Sequence, residues 1–223
     1  MSIKIKIKLN SGLYLKEPQD SKLGRKIIQH SILLIDEFGF EYFTFKKLAV
    51  KINSTEASIY RYFENKHLLL LFLVNWYLEW VNYLMTINTK NIIDPHKKLH
   101  IIIHSLVFAS KENPAVDYVN EDKLHNIVIS EGGKAYHTKD VDKEESKGFF
   151  NSYKDLVHSV SKVIAEINPH FKYPFALATS LFEMSNNQIY FAKHIPKLTD
   201  TSIKEDEKEV ENMLNYFTDK LLK

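Results

Sequence analysis

The sequence predicts an all-α protein of about nine helices, and three observations support this fold class. Apolar residues recur at the 3.6-residue spacing of amphipathic helices along most of the 223 residues. Proline, glycine and asparagine separate the helical segments. Two segments within residues 44–66 are unusually short and are joined by a tight turn. We therefore expect an N-terminal extension over residues 1–20, a three-helix head over residues 21–66 and a larger helical core over residues 67–223.

The N-terminal extension has the alternating pattern of a β-strand. Its apolar and basic residues alternate as follows: Ile3, Lys4, Ile5, Lys6, Ile7, Lys8 and Leu9. Asn10-Ser11-Gly12 has the composition of a turn, and Leu13 and Leu15 resume the alternation, so a short β-hairpin is one interpretation. Because an isolated hairpin is only marginally stable in water, it would have to pack on the helical body. A frayed extension is the other interpretation.

The first helix of the head is predicted from Ser21 to Phe38, with Gly39 as its C-cap. Its buried face consists of residues at helical spacing: Ile27, Ile28, Ser31, Leu34, Ile35 and Phe38. Arg25 and Lys26 lie near the start of this helix and give that end a positive charge.

The stretch TFKKLAVKINSTEASIYRYFENK, residues 44–66, predicts two short helices. Thr44 caps the first, Phe45–Lys51, and Asn53 tolerates the left-handed backbone of a sharp helix exit. Ser54 or Thr55 caps the second, which extends to about Tyr62. A helix this short is not stable alone, so neighbours must hold it while its polar face stays free to bind something. This is the helix-turn-helix arrangement, in which the second helix enters the major groove of DNA.

The residues of this stretch also carry a family resemblance. The pairs and runs that match are Gly39-Phe40, Thr44-Phe45, Leu48-Ala49, Ile59-Tyr60-Arg61-Tyr62-Phe63 and Asn65-Lys66. In this order they resemble the N-terminal domain of the TetR (tetracycline-repressor) family of bacterial regulators, over about residues 21 to 70. The family usually has glycine at the position of Asn53, and often Lys-Gly at the position of Glu56-Ala57. A glutamate at position 56 repels phosphate. Its carboxylate could accept a hydrogen bond from a cytosine amino group, or it could stabilise the second short helix by interacting with the positive end of the helix dipole.

The resemblance implies a set of DNA-binding residues. They are Thr44, Lys46, Thr55, Glu56, Ala57, Ser58, Tyr60, Arg61, Tyr62 and Lys66. Thr44, Tyr60, Tyr62 and Lys66 match positions that contact the DNA backbone, whereas Glu56 and Ser58 lie where base edges can be reached. The resemblance further implies that Arg25 and Lys26 lie near the DNA backbone, and that the chain is a homodimer held by two C-terminal helices. Two heads would then bind a palindromic operator with half-sites about one helical turn apart.

Composition restricts the class of protein. Residues 1–66 hold 12 Lys and Arg against 7 Asp and Glu, whereas residues 67–223 hold 18 against 21, which fits a head that faces nucleic acid. Cysteine is absent, which excludes a disulfide framework and a Cys-based zinc site.

The longest apolar run, Leu68–Val74, is far shorter than the roughly 20 residues of a membrane span, so we expect a cytoplasmic protein without a membrane partner. No nucleophile elbow, phosphate loop or His-Glu-x-x-His motif occurs, so we expect neither an enzyme nor a cofactor.

The core begins with a helix that Asn65-Lys66 opens and that extends to about Thr86. This helix is apolar almost all round, which is typical of a buried helix. Trp76 and Trp80 share one face of it and are expected in the core, or alternatively on a surface that stacks on a ligand. Later helices are predicted at His96–Lys111, Pro114–Ser130, Val141–Ile167, Phe175–His194 and, with Thr199 or Asp200 as cap, Asp200–Leu222, with a loop at Glu131–Lys134. The last two are the candidates for the dimer interface.

Three histidines one turn apart, His96, His100 and His104, share one side of the His96–Lys111 helix. They could bind a divalent metal, satisfy neighbouring carbonyl groups, or supply polar groups to an otherwise apolar effector pocket. No further metal ligands can be named, so we assign no metal site. Under the pocket interpretation, the other expected wall residues are Trp80, Phe108, His125, Phe149, Tyr153 and Phe182.

These observations predict a transcriptional regulator, most simply a repressor that a small apolar or amphipathic ligand releases from its operator. An effector in the core would tilt the helix after residue 66 and move paired heads off their half-sites. The alternative is a DNA-binding protein without a small-molecule effector, controlled by a protein partner.

Overall fold

The computed structural model describes residues 6–111, 116–203 and 206–223. Within these ranges the chain forms eleven α-helices, three 3₁₀-helices and no strand, which confirms the predicted all-α fold class. The α-helices are α1 (Lys22–Tyr42), α2 (Phe45–Lys51), α3 (Glu56–Tyr60), α4 (Lys66–Thr89), α5 (Pro95–Phe108), α6 (Glu121–Glu131), α7 (Gly133–Tyr136), α8 (Val141–Ser146), α9 (Asn151–Ile167), α10 (Pro174–His194) and α11 (Lys208–Leu221). The 3₁₀-helices are Ser11–Leu13, Pro18–Asp20 and Pro196–Leu198.

The chain divides into two compact units. Unit 1 comprises residues up to Leu78 together with Ser110–Ser152, so that it holds the three-helix head, the first half of α4 and α6–α8. Unit 2 comprises Glu79–Ala109 and Tyr153–Lys223, and its helices α5, α10 and α11 pack on one another. The domain boundary after Lys66 stays a prediction.

The core of unit 1 forms around α1. Ile27, Ile28, Ser31, Leu34 and Ile35 are buried, as the helical spacing predicts. Phe38 was expected on the same face but is 48% exposed, because the helical geometry that would turn it inward is interrupted at the next residue. Gly39 has φ 77° and ψ 160°, so the helix breaks there and resumes as a short turn to Tyr42 instead of ending.

The break at Gly39 is stabilised from a distant part of unit 1. Glu131, at the end of α6, is buried, and its Oε1 accepts a hydrogen bond of 3.0 Å from the backbone N–H of Phe40. Lys134 Nζ lies 2.7 Å from the other carboxylate oxygen, and this hydrogen bond raises the pKa of Lys134. Glu131 therefore serves as a remote cap for the last turn of α1.

Glu131→Ala is expected to lower the free energy of unfolding by about 2 kcal/mol, because the buried N–H of Phe40 loses its acceptor. Glu131→Gln, the matched control, keeps an acceptor oxygen and loses only the ion pair with Lys134. Denaturant titration of both variants measures the difference. Equal stability of the two would show that the charge of Glu131, and not the hydrogen bond, stabilises the break.

The N-terminal extension is an ordered segment without strand, so the hairpin interpretation is wrong for its described part. We call residues 6–20 the strap. Ile7, Leu9 and Leu13 are buried while Lys6 and Lys8 are exposed, as the alternation predicts, but Leu15, which continues the same pattern, is 65% exposed. No partner strand forms, because Ser11–Leu13 turns as a 3₁₀-helix with Asn10 as its cap. Ile3, Lys4 and Ile5 lie outside the described residues.

Hydrogen bonds join residues within the strap and attach it to two other parts of unit 1. Asn10 Nδ2 donates to the backbone carbonyls of Lys147 and Gly148, at 2.8 and 3.1 Å. Gln19 Nε2 donates to Ile7 O at 2.7 Å, and Tyr118 Oη donates to Gln19 Oε1 at 3.2 Å. Burial raises the pKa of Tyr118 to about 12, so its hydroxyl is a stable donor at neutral pH. The strap is therefore part of the folded unit.

Four predicted segment boundaries differ from the structure. Glu131–Lys134 is not a loop, since Gly132 has helical angles (φ −55°, ψ −38°) and α7 follows at once. The segment predicted as one helix over 141–167 is two helices, because Gly148 adopts φ 73° between α8 and α9.

Helix α6 begins at Glu121, where Asn120 caps it; the predicted start at Pro114 lies outside the described residues. Helix α11 begins only at Lys208, because the hydroxyl of Thr199 donates to Gln188 Oε1 at 2.5 Å instead of capping a helix.

Helix α4 is the most apolar helix. By length and composition it could cross a membrane, but 78% of its most apolar window is buried within the protein, as in the core helix of a soluble domain. Trp76 and Trp80 are 0% and 2% exposed, which agrees with the core placement expected for both. Trp80 Nε1 donates to Ala109 O at 3.0 Å within unit 2.

Candidate DNA-binding interface

Helices α2 and α3 form the predicted helix-turn-helix. The side chain of Thr44 accepts a hydrogen bond from Lys47 N at 3.2 Å, and that of Thr55 accepts one from Ser58 N at the same distance, so both threonines are N-caps. Asn53 has φ 55°, the left-handed conformation that the turn requires. The three local features predicted for this motif are therefore present.

The five-residue helix α3 depends on its neighbours for stability. Ile59 and Phe63 are completely buried beneath it, whereas Ala57 is exposed. The ring of Tyr60 packs edge-to-face against Phe45, with centroids 5.0 Å apart, which ties α3 to α2. This packing leaves one face of α3 open to solvent.

Seven of the ten side chains predicted to bind DNA are exposed on the head: Thr44, Lys46, Thr55, Glu56, Ala57, Tyr60 and Arg61. Ser58 is half-buried, with its hydroxyl 3.0 Å from that of Thr55 and 3.4 Å from Arg61 Nη2. Glu56 occupies the first position of α3, where a carboxylate favours the helix N-terminus. These residues lie on α2 and α3 or next to their ends.

Tyr62 does not belong to this exposed surface. It is 3% exposed, and its hydroxyl lies 2.8 Å from Ser21 Oγ, at the N-terminus of α1. Its phenol therefore holds the end of α3 against α1, and the expected contact of Tyr62 with the DNA backbone stays a prediction.

Tyr62→Phe is expected to lower the free energy of unfolding by about 1 kcal/mol, because it removes the hydrogen bond to Ser21. Tyr60→Phe is the matched control. Because Tyr60 is 48% exposed, the protein should be as stable without this hydroxyl as with it. Thermal melts and DNA affinities of both variants are compared. A Tyr62→Phe protein of normal stability with weakened DNA binding would return Tyr62 to the DNA-binding surface.

Lys66 is half-buried, and its side chain caps the end of α1. Its ammonium group donates to the carbonyl oxygens of Phe40, Glu41 and Phe43, at 3.0, 3.2 and 3.3 Å. It also lies 4.6 Å from the centre of the Phe40 ring. Because an ammonium group has three N–H donors and three carbonyls accept from them, Lys66 stabilises the head, and its expected contact with the DNA backbone stays a prediction.

The two basic residues near the start of α1 differ in their surroundings. Arg25 Nε donates to Gln19 O at 2.7 Å, and the guanidinium lies 5.6 Å from the centre of the Tyr118 ring. Lys26 is exposed and remains able to reach a phosphate. Sequence reasoning missed the exposed apolar side chains of the head, Tyr42 and Val50, which are 71% and 78% exposed beside the lysines of α2.

The expected effector-site residues belong to both units. His125 and Phe149 belong to unit 1, where His125 stacks on Tyr77 with ring centroids 5.0 Å apart. Trp80, Phe108, Tyr153 and Phe182 belong to unit 2, where Tyr153 lies against Phe182, with centroids 5.2 Å apart, and donates to Glu183 at 2.6 Å. The expected set is therefore divided between the units.

His100 and His104 pair with carboxylates of α11. His100 Nε2 lies 2.9 Å from Asp219 Oδ1, and His104 Nδ1 lies 3.2 Å from Glu211 Oε1. His104 also stacks on Phe108, with centroids 4.8 Å apart. These contacts join α5 to α11, which favours a structural role. Among the described residues, no group of three or more His, Asp or Glu side chains is arranged to hold a metal ion.

Unit 1 contains an open cavity of about 460 Å³. Its lining is mostly polar: Gln29, Leu33, Ser110, Lys111, Asp117, Val119, Asn120, Glu121 and Asp122. None of the expected effector-site residues lines it.

Comparison with known proteins gives matches in structure alone. No protein-family model and no curated protein sequence matches the chain. Among solved structures, AibR in complex with isovaleryl coenzyme A and operator DNA is 16% identical, with a TM-score of 0.59 over 86% of this chain and 97% of that chain. A TetR-family transcriptional regulator from Syntrophomonas wolfei str. Goettingen is 14% identical, with a TM-score of 0.65 over 89% and 93%. Superantigen PfiT is 11% identical, with a TM-score of 0.62 over 92% and 98%. At these identities the likeness shows the fold, and the chain has the fold of TetR-family transcriptional regulators.

Proposed function

We propose that this protein is a cytoplasmic, non-enzymatic transcriptional regulator that binds double-stranded DNA through α2 and α3. The observation that carries the proposal is the exposed polar face of α3, held by buried Ile59 and Phe63 and flanked by two capped turns. A five-residue helix that buried side chains hold on one face and that exposes polar side chains on the other fits a DNA major groove. The fold shared with AibR, which was solved with operator DNA, supports this assignment.

The protein acts as a homodimer on a palindromic operator. Helices α10 and α11, which pack on each other in unit 2, carry large exposed apolar side chains: Phe175 on α10, and Tyr216, Phe217 and Leu221 on α11. Side chains of this size on neighbouring helices favour a protein–protein interface. Two linked heads bind two half-sites far more tightly than one head binds one.

A small apolar or amphipathic effector releases the protein from DNA, so that it works as a repressor. Support for a small-molecule effector, though not for the direction of its effect, comes from the fold shared with AibR, which was solved with isovaleryl coenzyme A and operator DNA. The effector site would use residues of the expected set, of which His104, Phe108, Tyr153 and Phe182 lie in unit 2.

The second candidate is a DNA-binding protein that a partner protein controls. One observation favours it: Trp80, Phe149 and Phe182, three expected walls of the effector pocket, are only 2–4% exposed, so almost all of their surface is packed against other protein atoms. A solidly packed core has no room for a ligand unless it rearranges.

Selection of bound duplexes from random-sequence DNA tests the proposed function, and a screen of acyl thioesters and amphipathic carboxylates for release follows on the selected site. An enriched palindrome that such a ligand releases supports the repressor. An enriched site that none of them releases favours the partner-controlled protein. Failure to enrich any sequence would contradict both.

Glu56→Ala is expected to change which base is preferred at one position of each half-site, because a carboxylate at the start of α3 can accept a hydrogen bond from a cytosine amino group. A hydrogen bond to a charged group contributes about 1.5–3 kcal/mol, so the preference for the correct base should fall by about tenfold or more. The measurement is a second selection with the variant, and Glu64→Ala, an exposed carboxylate beyond α3, is the control. An unchanged preference and affinity would leave Glu56 as a helix-start charge.

A further inference from the structure

The recognition helix has little positive charge of its own. On α3 and the residue after it, the exposed charges of Glu56 and Arg61 offset each other. The next cation along the chain, Lys66, donates to three backbone carbonyls. Most of the affinity of a protein for DNA comes from contacts with phosphates, so a positive group beside α3 has a large effect.

The strap brings such a group to the end of α3. The backbone N–H of Leu15 donates to the carbonyl of Tyr62 at 2.8 Å, directly after Arg61. The next residue, Lys16, is exposed, and its ammonium group lies 5.3 Å from the centre of the Tyr62 ring. Because Tyr62 is itself fixed by Ser21, the ring is a rigid support for this cation.

The position of Lys16 is defined by the folded strap. Leu13 is completely buried, and Asn10 binds the carbonyls of Lys147 and Gly148. A cation that is already placed loses less conformational entropy on binding than one on a free arm.

The other lysines of the strap have different surroundings. Lys6 is 2.6 Å from Asp20 and 3.9 Å from Glu17, and the hydrogen bond to Asp20 raises the pKa of Lys6. Lys8 is exposed between the buried residues Ile7 and Leu9. Among the described contacts, Lys16 pairs with an aromatic ring and with no carboxylate, so its charge stays available to an anion.

We propose that Lys16 binds a phosphate of the DNA backbone at the C-terminal end of α3, and so extends the DNA-binding surface beyond the helix-turn-helix. This inference rests on the proposed function. The competing explanation is that Lys16 only stabilises the fold, through its cation–π contact with Tyr62.

The test measures affinity for a fluorescein-labelled duplex of mixed sequence over a range of potassium chloride concentrations, with full-length protein. Lys16→Gln is expected to reduce the slope of log affinity against log salt by about one, the value for one lost phosphate contact. Lys16→Arg keeps the charge and should keep the slope. Lys8→Gln removes an exposed lysine from the same strap and should also keep it.

Each outcome decides between the explanations. A Lys16→Gln protein with an unchanged slope overturns the inference, whatever happens to its melting temperature. Equal losses for Lys16→Gln and Lys8→Gln also overturn it, because they would indicate diffuse attraction by the whole strap. Wild-type protein that binds no duplex would overturn the proposed function and this inference with it.

Discussion

Replacement of Gly24 by alanine (Gly24→Ala) will lower the free energy of unfolding by about 3 kcal/mol, the upper part of the range for overpacking. Gly24 is the third residue of α1, and the 3₁₀-helix of the strap crosses it closely. A Cβ atom at Gly24 would lie 2.2 Å from the carbonyl oxygen of Pro18 and 2.6 Å from its Cα. Both are backbone atoms, so no side-chain rotation can relieve the clash.

The matched control is Gly133→Ala. Gly133 begins α7, and a Cβ atom there would meet only His137 Nδ1, at the ordinary contact distance of 3.6 Å. Because alanine favours helix over glycine by up to about 1 kcal/mol, this variant should be as stable as the parent or more so. Chemical denaturation measures both. A Gly24→Ala protein with normal stability would show that the strap leaves α1 in solution and that Lys16 is not held beside α3.

The second large effect is expected at Lys66. Lys66→Met removes the ammonium group and leaves the carbonyls of Phe40, Glu41 and Phe43 without their donor. Hydrogen bonds to a charged group contribute about 1.5–3 kcal/mol, so we expect a loss of about 3 kcal/mol for the three together. Methionine keeps much of the side-chain stem, so the loss reports on the ammonium group and not on packing.

DNA binding distinguishes this role from a phosphate contact. At a temperature where Lys66→Met is folded, its slope of log affinity against log salt should equal that of the parent. A phosphate contact would instead reduce the slope by about one without a large change in stability. That second result would return Lys66 to the DNA-binding residues.

The helix-turn-helix could be predicted from sequence because each of its features depends on residues within a few positions. Thr44 and Thr55 cap N–H groups three residues ahead, and Asn53 turns the chain by its own φ. The exposed face of α3 follows from the same local spacing. The prediction therefore succeeded where the physical cause is local.

Long-range partners were not predictable in this way. The partners of Tyr62 and Lys66 lie 41 and 23–26 residues earlier in the chain, and a sequence pattern does not show that these groups meet. The hydrogen bond from Asn10 to Lys147 spans 137 residues, so the strap was read as a strand from its alternation alone. For the effector site, large apolar residues on helix faces could be named, but which faces meet depends on packing between helices distant in sequence.

The hydrogen bond between Glu131 and the N–H of Phe40 has a genetic consequence. In a mutant screen for loss of DNA binding, alleles should arise not only within residues 44–66 but also at Glu131, 91 residues after Phe40, because the break in α1 depends on that carboxylate. Alleles at Asn10 should join them, since its side chain anchors the strap to residues 147 and 148. From their position in the sequence, the Glu131 alleles would be assigned to the core, although their defect lies in the head.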